Sequence, residues 1–190
     1  MSVLPIYTYN QSILRKKAKP VRAVDDALIK FIEDMFDTMH KSNGIGLAAN
    51  QVGSLQRVIV VDVSEMEETR DLKPMVMLNP EIVSETGTWT MEEGCLSIPD
   101  IRDEVERADT ITVRYKDLEF NDQQLDTKGL LGRVILHEID HLNGILFIDR
   151  LSGEKQKLLR GRLNKIRNGD VDVTYPIVSE FLPTEKVESR

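Results

Sequence analysis

His137, Glu138, Ile139, Asp140 and His141 form the most chemically loaded stretch of the chain. On a helix, residues four apart share one face, about 5–6 Å apart, so two imidazoles there can grip a single ion. Glu138 follows the first of them and can reach a metal-held water without being a ligand itself. A catalytic ion usually takes three protein donors and keeps one position open. The chain has three histidines, His40, His137 and His141, so the third donor has to come from elsewhere. Extending the pattern as HExxHxxGxxH puts Gly144 on the glycine but Phe147 on the last histidine, which closes that route. Glu154 downstream, and Cys95 or His40 upstream, remain.

Cys95 is the lone cysteine, set in Glu93-Gly94-Cys95-Leu96-Ser97-Ile98-Pro99. A glycine before it lets the backbone approach a site closely. A thiolate is a strong ligand that offsets charge, a free cysteine can be a nucleophile with a histidine as base, and many are simply buried. Beside a histidine pair that lacks its third donor, the ligand reading is preferred. Glu154 as third donor describes a zinc peptidase that leaves Cys95 idle. His40 as a fourth donor describes a closed structural zinc site. A non-catalytic metal-binding module would have no use for a base at Glu138. The third chemical segment, Gly44 to Gln51 (GIGLAANQ), lacks the GK[ST] ending of a phosphate loop. It suits backbone lining a narrow cleft, with Gln51 offering N–H donors to a developing oxyanion.

These residues need elements to position them. Apolar residues from Val24 to Met39 recur at helical spacing and predict a helix over about Asp25–Lys41. Strands are expected at Arg57–Val63, at Met75–Leu78 closed by Asn79-Pro80, at Ile82–Met91, at Thr110–Tyr115 and, more weakly, at Phe120–Leu125. The metal-type helix is expected from about Thr127 to Asn143, capped by Asp126 or Thr127 and ended by Gly144. A second helix is expected over Ser152–Arg167, a late strand over Val171–Val178, and then a loose polar tail. The strands precede the metal-type helix rather than alternating with helices. That predicts an α+β fold, antiparallel or mixed sheets around a central helix, in one domain spanning 1–190.

Bulk properties narrow the function. With 41% apolar and 30% charged residues, the 190-residue chain is of ordinary globular composition. A net charge of -7 gives no general attraction to DNA or to anionic membranes. No apolar run approaches the ~20 residues that span a bilayer. Met1–Asn10 is not a secretory signal, and a lone cysteine fits a reducing cytoplasm.

Taken together, the three chemical segments resemble the peptide deformylases, whose pattern is GφGφAAxQ, then EGCφS, then HEφDH, with φ apolar. Gly44–Gln51, Glu93–Ser97 and His137–His141 meet it in order over about a hundred residues, and the flanking HLNGILFIDR is also similar. Asn50 falls on the pattern's variable position. The resemblance covers the chain to about residue 150. It implies hydrolysis of the N-formyl group from the formyl-methionine that begins new proteins. It implies one divalent ion, Fe2+ as the physiological metal, with Zn2+, Ni2+ or Co2+ as substitutes, held by Cys95, His137 and His141. Glu138 is then the base that takes a proton from water and delivers it to the leaving amine. Gln51 and the Leu96 backbone N–H stabilise the oxyanion, and Gly46 bonds the substrate backbone. Ile45, Met91 and Val134 line a slot for the methionine side chain, and Arg102 holds the peptide or a nearby carboxylate. Asp140 matches the pattern without a derivable role.

The segment Glu154–Arg167 carries Lys155, Lys157, Arg160, Arg162, Lys165 and Arg167 against one acid, with Leu158, Leu159, Leu163 and Ile166 as an apolar stripe. A basic helix on an acidic body suits phosphate contact. In some deformylases a C-terminal helix docks on the ribosome, which fits a nascent-chain substrate. The late strand is positioned to fold back over part of that surface.

Overall fold

The computed structural model describes residues 2–180. The expected loose tail, residues 181–190, lies outside the described residues. Helix α1, Asp26–Lys41, starts where expected because the Asp25 carboxylate accepts from the Leu28 N–H at 2.8 Å. Strands β2 (Gly46–Ala48), β3 (Val58–Val61), β4 (Met75–Thr86), β7 (Thr110–Lys116) and β8 (Asp122–Lys128) form an antiparallel sheet in the order β2-β3-β4-β7-β8. Strands β5 (Trp89–Cys95) and β6 (Ile98–Arg107) form a separate antiparallel hairpin. Strand β1 (Ile6–Tyr7) pairs in parallel with β9 (Ile177–Val178). Helices α2 (Gly129–Leu142) and α3 (Gly153–Arg167) complete the fold.

The VIVV run of β3 is apolar throughout because both of its faces are covered. Val58 and Val60 pack with Leu28, Ile32, Met35 and Met39 of α1. Ile59 and Val61 pack with Val134, Ile135 and Ile139 of α2. Helix α2 has the sheet on one side and the β5–β6 hairpin on the other, so every residue from Leu131 to Leu142 is buried. It is the central helix of an α+β fold. A third cluster joins β6 to α3 through Ile98, Ile101, Val105, Leu159, Leu163 and Ile166.

Several expectations change. Asn79-Pro80 does not close a strand; β4 runs through it, with Asn79 at φ 53 and a register shift between Leu78 and Glu81. The Asn79 amide bonds both backbone groups of Val21, which stabilises this bulge. Ile82–Met91 is not one strand, because Gly87 (φ 68) turns the chain from β4 into β5 of the other sheet. Helix α2 begins at Gly129, since Thr127 and Lys128 still pair with β7. The late strand shrinks to Ile177–Val178, paired with an N-terminal strand that the sequence did not suggest. Strand β6 was also unanticipated. On α3, Leu159, Leu163 and Ile166 are buried as expected, but Leu158 is 82% exposed and outside the stripe.

Candidate metal centre

Two elements deliver the donors. Helix α2 presents His137 and His141 on one face, ring centroids 5.0 Å apart. Strand β5 ends at Cys95, and a two-residue turn, Leu96-Ser97, returns the chain into β6 with Cys95 opposite Ile98. Cys95 Sγ lies 3.1 Å from His141 Nε2. The donor atoms of Cys95, His137 and His141 all fall within 4.8 Å of one another, the single group of this kind among the described residues. Glu154 is exposed on the first turn of α3 and outside this group, which removes it as third donor. His40 is bonded instead to Asp62, at 2.8 Å, so it does not close the site with a fourth ligand.

The donor set fits a divalent ion: one soft thiolate and two imidazoles, with three donors leaving room for water or substrate. His137 Nδ1 is engaged by Glu93 Oε2 at 2.9 Å, which leaves Nε2 for a metal. His141 Nδ1 is buried with no partner among the described residues. Burial, together with the charges of His137 and Arg107, holds His141 well below the ordinary imidazole range, so it stays neutral with a lone pair available. Burial opposes charge on His137, but its bonds to Cys95 and Glu93 outweigh that and raise it to about 10. An imidazole must be neutral to act as a ligand, so ion uptake at this site is linked to pH.

Glu93 is buried, and burial alone would raise its pKa. Its bonds to His137 and Arg107 dominate and keep it well below the usual carboxylate range. Arg107 Nε and Nη2 grip both Glu93 oxygens at 2.6 and 2.9 Å, and Arg133 Nη1 adds a bond at 2.9 Å. Asp140, whose role the sequence left open, accepts from Arg107 at 2.6 Å and from Arg150 at 2.6 and 2.7 Å. Arg107, Arg133 and Arg150 were not singled out from sequence. The available signal for Arg107 was its place at the end of a β6 alternation in which Ile101, Val105 and Arg107 are buried. Asn50 is fully buried and donates to the His141 carbonyl, tying the short 3-10 turn Ala49–Val52 to the end of α2.

Cys95 and His137 line a cleft of about 600 Å³, with His141 buried behind them. The expected catalytic and substrate-binding residues also line it: Ile45, Gly46, Gln51, Met91, Leu96, Arg102, Val134 and Glu138. Glu138 is buried, and its Oε2 has no partner among the described residues. Burial, reinforced by Glu93 and opposed by His137 and Arg107, pushes it up to about 7. The Gln51 Oε1 accepts from the Ala48 N–H at 2.8 Å, which turns Nε2 toward Ser97 Oγ (3.3 Å) and Cys95 Sγ (3.6 Å). Gly46 has no room for a side chain, because a Cβ there would stand 2.6 Å from both Glu138 Oε1 and Val134 Cγ1. Arg102 lies exposed at the rim, 3.9 Å from Glu92. The cleft is also lined by Met66 and by Asp172–Tyr175, none of which the sequence indicated.

A family model described as polypeptide deformylase matches residues 3–157. The peptide deformylase of Chlorobaculum tepidum is 46% identical over 178 residues, covering 94% of this chain and 95% of the relative. That of Salinibacter ruber is 46% identical over 196 residues, covering 99% and 100%. Among solved structures, a peptide deformylase from Legionella pneumophila superposes with a TM-score of 0.81 at 40% identity, covering 89% of this chain and 98% of that one. The Ehrlichia chaffeensis enzyme in complex with actinonin superposes at 0.80 with 36% identity, covering 90% and 100%. With its three donor side chains gathered in one group and likeness along nearly its whole length, the chain belongs to the polypeptide deformylase family.

Proposed function

We propose that this chain hydrolyses the N-formyl group from the formyl-methionine of newly made peptides, with Cys95, His137 and His141 holding one ferrous ion and Glu138 moving the protons. The observation that carries the reading is a group of three metal-type donors, two of which, Cys95 and His137, line the cleft together with Glu138, a buried carboxylate with an unpartnered oxygen. A divalent ion held there supplies Lewis acidity to water and to the formyl carbonyl.

The chain's own residues do the rest. Glu138, raised toward neutrality by burial, can accept a proton from water and give it to the leaving amine within the same pH range. Gln51 is held with its amide donors facing the donor group, ready for the charge that develops on the formyl oxygen, and the Leu96 N–H is its companion. Gly46 lets the substrate backbone lie against the cleft wall. Ile45, Met91 and Val134 receive the methionine side chain, and Arg102 meets the peptide at the rim.

Two further parts of the reading concern setting. No helix among the described residues is long and apolar enough to cross a membrane, and cytoplasmic action on nascent chains is the setting proposed. The exposed Lys157, Arg160 and Arg162 of α3 are proposed to contact ribosomal phosphate; the late strand does not cover them but pairs with β1.

The test is anaerobic metal analysis combined with formate release from a formyl-Met tripeptide. About one iron per chain with turnover is expected for the three-donor site. An iron-loaded chain that releases no formate would overturn the reading.

A further inference from the structure

The family model ends at residue 157, yet one wall of the cleft comes from Asp172–Tyr175. This return segment is fastened at both ends. Upstream, Gly169 and Asp170 donate to the last turn of α3, at Ile166 O (3.0 Å) and Lys165 O (2.9 Å). Downstream, Pro176 O accepts from Ile6, and Val178 O from the Thr8 N–H and hydroxyl. Between these anchors Tyr175 packs its ring against the α1 side of the core and donates its hydroxyl to the Leu96 carbonyl at 2.9 Å. Burial, with the nearby charges of Cys95 and Asp100, pushes the phenol pKa up, so the hydroxyl stays a donor.

The bond falls on a sensitive place. Leu96 and Ser97 are the whole turn between Cys95 and Ile98. The Ser97 carbonyl is held as well, by the Tyr9 N–H at 2.8 Å. The N-terminal and C-terminal segments, joined through β1 and β9, therefore clasp both carbonyls of the turn that carries the proposed oxyanion donor. The bond at its carbonyl restrains Leu96 on one side, and the pairing of Cys95 with Ile98 restrains it on the other.

We propose that Tyr175 is a positioning residue for the deformylation reaction, holding the Leu96–Ser97 turn so that the Leu96 N–H meets the developing charge without rearrangement. Donors fixed in advance stabilise the transition state because nothing has to reorganise when charge appears. The hydroxyl acts on that state and not on bound substrate, so its loss lowers kcat while leaving KM in place. The inference rests on the proposed function, and the experiment separates the two.

The variant is Tyr175→Phe, which keeps the ring and removes only the hydroxyl. With iron-loaded protein and a formyl-Met tripeptide, kcat is expected to fall about two- to tenfold, the equivalent of one net hydrogen bond. KM and iron content should match the parent chain, and Tm should fall by no more than the roughly 2–4 °C that one hydrogen bond is worth. An unchanged kcat overturns the positioning role. A raised KM at constant kcat also overturns it, making Tyr175 only a wall of the pocket. Parallel loss of iron and activity overturns it too, since the role would then be structural. Absence of formate release in the parent chain is the separate failure of the functional reading.

Discussion

Arg107 Nη1 donates to Asp140 Oδ2 at 2.6 Å, joining the end of β6 to the residue just before the metal-type His141. The same guanidinium holds both oxygens of Glu93, which in turn fixes His137. One buried cation thus sits between the two motifs that carry the donors. Removing it leaves two buried carboxylates short of a partner, a loss of about 3–5 kcal/mol. Arg107→Ala should show this in chemical denaturation, together with reduced metal content. A variant with unchanged denaturation midpoint and full metal would show that the network does not orient the donors.

Glu138→Ala should separate holding the ion from moving protons. The side chain is not among the three donors, so metal should be retained while formate release falls by about 10²-fold or more. Metal analysis and kcat on one preparation decide the matter. Retained activity would remove Glu138 as the base.

Gly46→Ala tests the tightness of the cleft. The added methyl would lie 2.6 Å from Glu138 Oε1 and from Val134 Cγ1, and Val134 is a branched residue fixed on α2. One of them has to move by roughly an ångström, a displacement that can cost about 10²-fold. The expected result is a fall of that size in kcat/KM with the overall fold retained by circular dichroism. Near-parent activity would show that neither group is placed as described.

The proposed methionine slot at Ile45, Met91 and Val134 should prefer formyl-Met to formyl-Ala, at about 1–3 kcal/mol for each methylene-sized loss of contact. Competing tripeptides give the ratio directly. Equal kcat/KM values would place the first side chain elsewhere.

The proposed phosphate contact of α3 should disappear when Lys157, Arg160 and Arg162 are changed together to Glu. Co-sedimentation with ribosomes at low salt should weaken, while hydrolysis of a free tripeptide is unchanged. Undiminished co-sedimentation would clear the helix of that role.

His137, Glu138 and His141 were legible as a candidate group because their pattern depends on short-range spacing, while Cys95 was preferred because the pair lacked a third donor and the pocket residues followed from the resemblance. His137 and His141 need only a helix between them, and Gly46 and Gln51 lie within one short segment. What escaped depends on contacts distant in sequence. Arg107 reads as one more charge in a polar strand until Glu93 and Asp140 are brought to it. Strand β6 was missed for the same reason: its outward face is charged, and its inward Ile98, Ile101 and Val105 are broken in register by a bulge after Gly94. Asn79-Pro80 resembled a strand end because a local rule cannot see Val21 holding the bulge open. Leu158 looked like part of a stripe that in three dimensions is one residue narrower.

The clasp of β1 on β9 also has a place in time. Thr8 reaches Val178 across 170 residues. Loop closure adds only about 0.6 kcal/mol per doubling of length, so such a span is tolerated at equilibrium. Contacts this distant in sequence nonetheless form slowly. The β2-β3-β4 and β7-β8 pairings join strands next to one another in sequence order and can assemble first, whereas the clasp joins the two ends of the described chain. During refolding, helical signal should return ahead of full catalytic competence, and the interval between them measures the closing of the strap.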